Sequence, residues 1–157
     1  MAKITRFEDL ICWQLARKLA NVVYKMTNQN QFSQDYELKK QIRRAAISSM
    51  TNIAEGFSRF HKKDFIRFLD ISQSSTEEVK SLLYIALDQN YFTKDLFTET
   101  YALANETKRV TLGLLKHVKS TIEEKSNRVR EPKAEYKIKF NDQTLELPEE
   151  FTYSGSH

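Results

Sequence analysis

Glycine and proline are scarce in this chain, which has 3 and 2 of them among 157 residues. Both prolines follow residue 130, so the first 130 residues contain no obligate helix breaker. Sandwich folds and α/β nucleotide-binding folds need glycine and proline at their many turns, and this composition argues against both. The composition therefore predicts a mostly helical, all-α fold.

Cysteine and long apolar runs are also rare or missing. The single cysteine, Cys12, excludes an intramolecular disulfide framework and is typical of a reducing compartment. No run approaches the roughly 18 apolar residues of a membrane span. Residues 1–6 lack the apolar core of a signal peptide. We therefore expect a cytoplasmic protein without a membrane partner.

Apolar residues at three- and four-residue steps predict four helical segments. The segments cover about residues 5–28, 35–56, 62–90 and 93–124. Because the connections between them have only a few residues, sequential helices should be antiparallel neighbours. The prediction for residues 1–124 is an antiparallel up-and-down four-helix bundle.

Several residues look like helix caps or crossing points. Thr5 with Glu8 fits a capping box before the first helix, and Thr93 fits an N-cap of the fourth. Gly56 is a candidate C-terminal cap of the second helix. The small residues 45–49 and the polar run 72–76 predict a close crossing of the second and third helices.

The pattern changes after residue 124, and residues 125–157 form a second region. A basic linker at 125–133 is followed by alternating apolar and polar residues between 135 and 147. This alternation, interrupted by a turn-like Asn141-Asp142-Gln143, favours a β-hairpin. An isolated hairpin is marginal in water, so it should dock on the bundle, pair with another chain or stay disordered.

The net charge of +4 is unevenly distributed. Residues 108–139 carry 10 Lys and Arg against 4 Asp and Glu, whereas residues 140–157 carry none against 4. The basic stretch is either a solvated helix end with its tail or an electrostatic footprint for phosphate backbones.

Motifs that carry catalysis or bind cofactors are absent from the sequence. The three histidines, at 61, 117 and 157, are far apart and have no metal-ligand spacing. Ser48 and Ser49 have no nearby histidine to act as a base, and no phosphate-binding glycine loop is present. We therefore expect no catalytic residue, no metal site and no cofactor, and hence a protein that is not an enzyme.

The strongest local signal is a polar motif made of Ser48, Asn52, Glu55 and Gly56. Helical spacing places these groups on neighbouring faces of the second helix. One interpretation is a buried hydrogen-bond network that fixes the junction with the third helix. The other is a polar site at the end of the bundle that holds phosphates, flanked by Arg59, Lys62, Lys63 and Arg67.

These motifs resemble those of the bacterial four-helix bundle proteins, also called 23S rRNA intervening-sequence proteins. The resemblance spans about residues 5–122 and rests on FEDL at 7–10, WQ at 13–14, QIRRAAIS at 41–48, NIAEG at 52–56 and DFIRFL at 64–69. It is more distant to the accessory variability determinants of retroelements, which bind nucleic acid. The resemblance implies a homopentamer of bundles with a basic surface.

The leading hypothesis is a non-enzymatic, oligomeric nucleic-acid-binding protein, with RNA favoured. It would act by phosphate neutralisation, which confers affinity without sequence choice. The candidate contacts are Arg43, Arg44, Arg59, Lys62, Lys63, Arg67, Lys108, Arg109, Lys116 and Lys119. The alternative hypothesis is a scaffold that binds a protein partner through the C-terminal tail of residues 125–157, with the hairpin near residues 135–147 as the docking element.

Overall fold

The computed structural model describes residues 4–128, 139–140 and 143–144, with side chains described for residues 4–123. Four long helices account for most of this range. They are α1 (Ile11–Met26), α2 (Tyr36–Phe57), α3 (Lys62–Asp88) and α4 (Lys94–Arg128). Short 3-10 turns at Phe7–Asp9 and Asn30–Gln34 precede α1 and α2. The four predicted helices are confirmed.

Each long helix packs against two others in the order α1–α2–α3–α4–α1. Adjacent helices run antiparallel, as the contacts between α2 and α3 show. Ser48 of α2 meets Ser75 of α3, whereas Gly56 further along α2 meets Phe65 near the start of α3. This cyclic, antiparallel arrangement has the geometry of an up-and-down bundle, as short connections predict.

The interior contains two clusters of buried side chains, one near each end of the bundle. The Phe32 cluster joins the end of α1 to the start of α2 and to Leu83 of α3. The Phe65 cluster joins the start of α1 to Ile53 of α2 and Leu114 of α4. Both clusters follow from the three- and four-residue spacing of apolar residues in the sequence.

The helix starts confirm the expected N-cap at Thr93 and contradict the one at Thr5. Asp35 is an N-cap that the sequence pattern did not predict. Asp35 accepts a hydrogen bond of 3.0 Å from the Leu38 amide, and Thr93 Oγ1 accepts one of 3.2 Å from the Leu96 amide. The capping box predicted at Thr5 is wrong, because a 3-10 turn intervenes and α1 begins only at Ile11.

Gly56 does not cap α2, and this prediction is also wrong. It lies inside the helix without a positive φ, and α2 continues to Phe57. The absence of a side chain at Gly56 instead lets α3 pack closely against α2. A Cβ placed there would lie 2.7 Å from Phe68 Cβ and 2.9 Å from Phe65 Cδ2. Glycine is therefore required by the close approach of α3.

Two short strands lie in the tail beyond α4. Lys139–Phe140 pairs antiparallel with Gln143–Thr144, so that Lys139 faces Thr144 and Phe140 faces Gln143. The other residues of the hairpin predicted between 135 and 147 lie outside the described residues. The hairpin as a whole stays a prediction.

We expect Gly56→Ala to destabilise the protein by about 1–3 kcal/mol, because the new methyl group overpacks the contact with α3. This loss exceeds the gain of at most about 1 kcal/mol in helix propensity. Urea denaturation followed by circular dichroism measures the difference. Gly113→Ala, at a half-buried position within α4, is the matched control and should be neutral or stabilising. Equal behaviour of the two variants would contradict the packing role.

Candidate nucleic-acid interface

The polar residues of α2 and α3 form one hydrogen-bonded crossing between the two helices. The Oγ atoms of Ser48 and Ser75 lie 2.8 Å apart, and Ser49 Oγ lies 2.7 Å from Thr76 Oγ1. Ser72 Oγ donates to the carbonyl oxygen of Ser49 at 2.6 Å. The hydroxyl groups satisfy one another where the backbones approach, so the crossing is a structural element.

Asn52 and Glu55, the other polar residues of the motif, are used differently. Asn52 Nδ2 donates to the Ser48 carbonyl oxygen at 2.7 Å and lies 3.0 Å from Ser48 Oγ, which extends the crossing by one turn. Glu55 is exposed and forms an ion pair with Arg59 one turn later. The Arg59 guanidinium also lies over the ring of Phe68. Glu55 is therefore not part of the hydrogen-bonded crossing.

Arg43, a candidate phosphate contact, holds α1 and α2 together. Its Nε donates to Thr27 Oγ1 at 2.7 Å and its Nη2 donates to Asn28 Oδ1 at 2.7 Å. Its guanidinium lies 4.4 Å from the centre of the Tyr24 ring. Since Thr27 is fully buried, this arginine satisfies an interior hydroxyl at the end of α1.

Lys108, a second candidate, is paired with a carboxylate of α3. Its Nζ lies 2.6 Å from Glu77 Oε2, and Lys80 Nζ lies 2.9 Å from Glu77 Oε1. The hydrogen bonds from Lys108 and Lys80 lower the pKa of Glu77 below its ordinary value. Burial acts to lower the pKa of Lys80, but the hydrogen bond and charge of Glu77 and the adjacent Tyr101 together raise it.

Two further candidates also make contacts within the bundle. Arg109 donates from Nε and Nη2 to both carboxylate oxygens of Glu106, at 2.9 Å and 2.6 Å. These hydrogen bonds raise the pKa of Arg109 and lower that of Glu106. Lys62 Nζ donates to Thr121 Oγ1 at 2.7 Å, which joins the start of α3 to the last third of α4.

Five candidate cations are exposed and make no hydrogen bond or ion pair with another described residue. They are Arg44, Lys63, Arg67, Lys116 and Lys119. Lys63 and Arg67 are one helical turn apart on α3, and Lys116 and Lys119 are one turn apart on α4. Because the Lys62–Thr121 contact brings these parts of the two helices side by side, four of the cations share one end of the bundle. We call Lys63, Arg67, Lys116 and Lys119 the terminal basic surface.

Arg44 lies apart from that surface, in a shallow groove between α2 and α3. The groove has a volume of about 240 Å³ and is lined by Gln41, Arg44, Ala45, Ser48 and Glu78. Gln41 Nε2 donates to Glu78 Oε1 at 2.7 Å. The Glu78 carboxylate offsets the positive charge of Arg44, so this groove has no excess of cations.

A cluster of aromatic rings on α3 and α4 was not singled out by the sequence. The ring centre of Tyr84 lies 5.0 Å from that of Phe97 and 5.6 Å from that of Tyr101. Tyr84 is 49% exposed, and its hydrogen bond with Tyr101 raises its pKa. Lys80 Nζ lies 4.9 Å from the Tyr101 ring centre. The four-residue spacings of 80 with 84 and of 97 with 101 are the only sequence signal for this cluster.

The described residues contain no group of three His, Cys, Asp or Glu side chains placed to hold a metal ion. Cys12 is buried, and burial raises the pKa of its thiol to about 12. Among the helices described, none combines the length and apolar character needed to cross a membrane.

The fold and its exposed charges are those of an antiparallel helical bundle with four exposed cations at one end. The family of 23S rRNA-intervening sequence proteins matches the chain over residues 8–113. The chain belongs to this family, and the resemblance found in its motifs is confirmed. No curated protein matches it.

A solved structure supports the fold. It is described as a protein of unknown function from the S23 ribosomal protein family of Bacteroides thetaiotaomicron, and it is 21% identical in sequence to this chain. The match has a TM-score of 0.63 and covers 68% of this chain and 99% of that protein. The two proteins therefore share the bundle.

We expect Arg43→Ala to lower the free energy of unfolding by about 1–3 kcal/mol, because buried Thr27 loses its charged partner. Thermal and urea denaturation measure the effect. Arg44→Ala is the adjacent control and should change stability by less than about 0.5 kcal/mol, since its side chain is exposed. A larger loss for Arg44→Ala than for Arg43→Ala would contradict the assignment of Arg43 to the α1–α2 contact.

The Glu77 ion pairs predict a pH-dependent contribution to stability. Because the folded-state pKa of Glu77 is lowered from 4.5, the contribution is complete above that value and is lost as the pH falls through the folded-state pKa. Glu77→Gln should therefore cost below about 1 kcal/mol at pH 7, since the pair is partly exposed. The cost should shrink in acid below pH 4.5.

Urea denaturation of the wild type and of Glu77→Gln at several pH values measures this difference. Glu78→Gln is the control for the same replacement at the neighbouring exposed position, where the described partner is neutral Gln41. A cost for Glu77→Gln that stays constant from neutral to acid pH would contradict the role of its charge.

Proposed function

We propose that this protein is a non-enzymatic, cytoplasmic, oligomeric RNA-binding protein that contacts phosphates through its terminal basic surface. The observation that carries the proposal is the grouping on α3 and α4 of four exposed cations that have no partner among the described residues. Arg43, Lys108 and Arg109 are satisfied by internal partners, so the proposal does not use them.

The charge of this end of the protein favours an anionic polymer as partner. Lys and Arg side chains bind nucleic acid by neutralising phosphates and releasing condensed counterions. The sequence adds six more Lys and Arg between residues 125 and 139, immediately after the helical turns that carry Lys116 and Lys119. RNA is favoured over DNA because the family is named for an intervening sequence of 23S rRNA.

The contacts proposed are to the backbone and not to base edges. Backbone contacts fix position and affinity without carrying sequence information directly. We therefore propose binding that depends strongly on salt and weakly on base sequence. Displacement by an unrelated RNA of equal length should be nearly complete.

Oligomerisation would multiply these contacts, and the pentamer implied by the family resemblance is the form we propose. Large apolar side chains remain exposed on α2 and α3, namely Ile47, Ile71, Tyr84 and Ile85. Exposed apolar groups mark a surface that contacts another protein chain where they form a contiguous patch. Several basic surfaces in one assembly would act together on one RNA. Native mass spectrometry counts the copies directly.

Replacing three lysines of the terminal basic surface should weaken RNA binding about tenfold or more at moderate salt. The variant is Lys63→Gln, Lys116→Gln and Lys119→Gln combined. Each lost phosphate contact should also reduce the slope of log affinity against log salt by about 0.7 on a single strand. A filter-binding titration over a salt series measures both quantities.

The matched control replaces three exposed lysines near the opposite end of the bundle, Lys25→Gln, Lys40→Gln and Lys94→Gln. It has the same net charge as the test variant and should retain most of the affinity. Equal losses in the two variants would show that net charge alone governs binding. Salt-independent binding, or none to any RNA, would contradict the proposed function.

A further inference from the structure

The terminal basic surface has an exposed apolar residue at the same end of the bundle. Phe60, in the connection between α2 and α3, is 89% exposed. It lies only three residues before Lys63, the first cation of the surface. A partner for this end of the bundle would therefore carry carboxylates together with apolar side chains, since these complement the cations and the ring.

The chain's own C-terminal segment has this chemistry. Residues 145–157 contain three carboxylates, Glu146, Glu149 and Glu150, and no lysine or arginine. Apolar residues alternate with these acids, in the order Leu145-Glu146-Leu147-Pro148-Glu149-Glu150-Phe151. Both the charge and the apolar content of the segment match the surface.

The position where α4 ends makes the contact sterically accessible. α4 ends at Arg128, nine residues after Lys119 and at the same end of the bundle. At about 3.3–3.6 Å per residue, the chain between Arg128 and Lys139 can span up to about 40 Å. The pairing of Lys139–Phe140 with Gln143–Thr144 then turns the chain back, so Glu146 follows close to Lys139. Lys116 lies about 18 Å back along α4 at the helical rise of 1.5 Å per residue. The segment can therefore reach every residue of the surface.

We propose that residues 145–157 dock on the terminal basic surface of the same chain and neutralise it. Attachment to the end of α4 gives the segment a local concentration in about the millimolar range, which favours contact within one chain. The docked segment and an RNA phosphate use the same cations, so the segment limits access of RNA to this surface. The docking itself does not depend on the proposed function.

Carbodiimide cross-linking of the full-length protein tests the docking without RNA. The reagent joins a carboxylate to a lysine amine that touches it, and mass spectrometry of peptides identifies the pair. We expect links from Glu146, Glu149 or Glu150 to Lys63, Lys116 or Lys119. These should be about tenfold more abundant than links to Lys25, Lys40 or Lys94, because the segment is tethered near this surface and ion pairing holds it there. Salt near about 1 M, where the Debye length is about 3 Å, should suppress them.

Several outcomes would overturn the proposal. One is an equal yield of links to the control lysines near the opposite end of the bundle. Another is a link pattern unchanged at high salt. Mixing ordinary and nitrogen-15-labelled protein distinguishes links within a chain from links between chains. Links found only between chains would also contradict docking within one chain.

A variant with neutralised carboxylates supplies the second readout. Glu146→Gln, Glu149→Gln and Glu150→Gln together should raise affinity for a single-stranded RNA about fivefold at moderate salt, because the cations are released. The variant leaves the bundle sequence intact, so its helical circular dichroism should match that of the wild type. Absence of RNA binding in both proteins, with the cross-links present in the wild type, would contradict the proposed function and leave the docking supported.

Discussion

The crossing of α2 and α3 is the contact on which the arrangement of the bundle depends. Hydroxyl groups of Ser48, Ser49 and their partners on α3 pair inside it, and Gly56 removes the one side chain that would push the helices apart. A buried polar group without a partner costs free energy, so these hydroxyls favour this single register of the two helices. The hydrogen bond from Lys62 to Thr121 brings the start of α3 beside the last third of α4.

The distribution of free and paired cations follows from the contacts between adjacent helices. Where an acidic or hydroxyl partner lies across a helix contact, the cation pairs with it, as with Arg43 and Lys108. Where the neighbouring helix offers no such partner, the cation stays exposed, and this happens for Lys63, Arg67, Lys116 and Lys119. The protein therefore has a basic surface at one end although its net charge is only +4. The acidic segment at the end of the chain has the opposite sign and can reach it.

Much of the fold could be predicted from apolar spacing, because a helix needs one apolar stripe to bury. The four helices were predicted in this way. The polar crossing and the N-cap at Thr93 were predicted from small and polar residue types instead. The errors were local. The role of Gly56 was misjudged because a glycine near a helix end looks the same in the sequence whether it terminates the helix or admits a neighbour. The start of α1 was predicted wrongly because Glu8, the second residue of the expected capping box, lies in a 3-10 turn before the helix.

The sequence by itself determined that the protein is a helical bundle, where its helices run and to which family it belongs, since these depend on local periodicity and motif order. Only the tertiary structure decided which cations are free to bind. An arginine or lysine looks the same in the sequence whether it faces a carboxylate on another helix or faces solvent. Pairings such as Lys108 with Glu77 join residues 31 positions apart. Such partners become neighbours only when the packing of α2, α3 and α4 sets the register between helices.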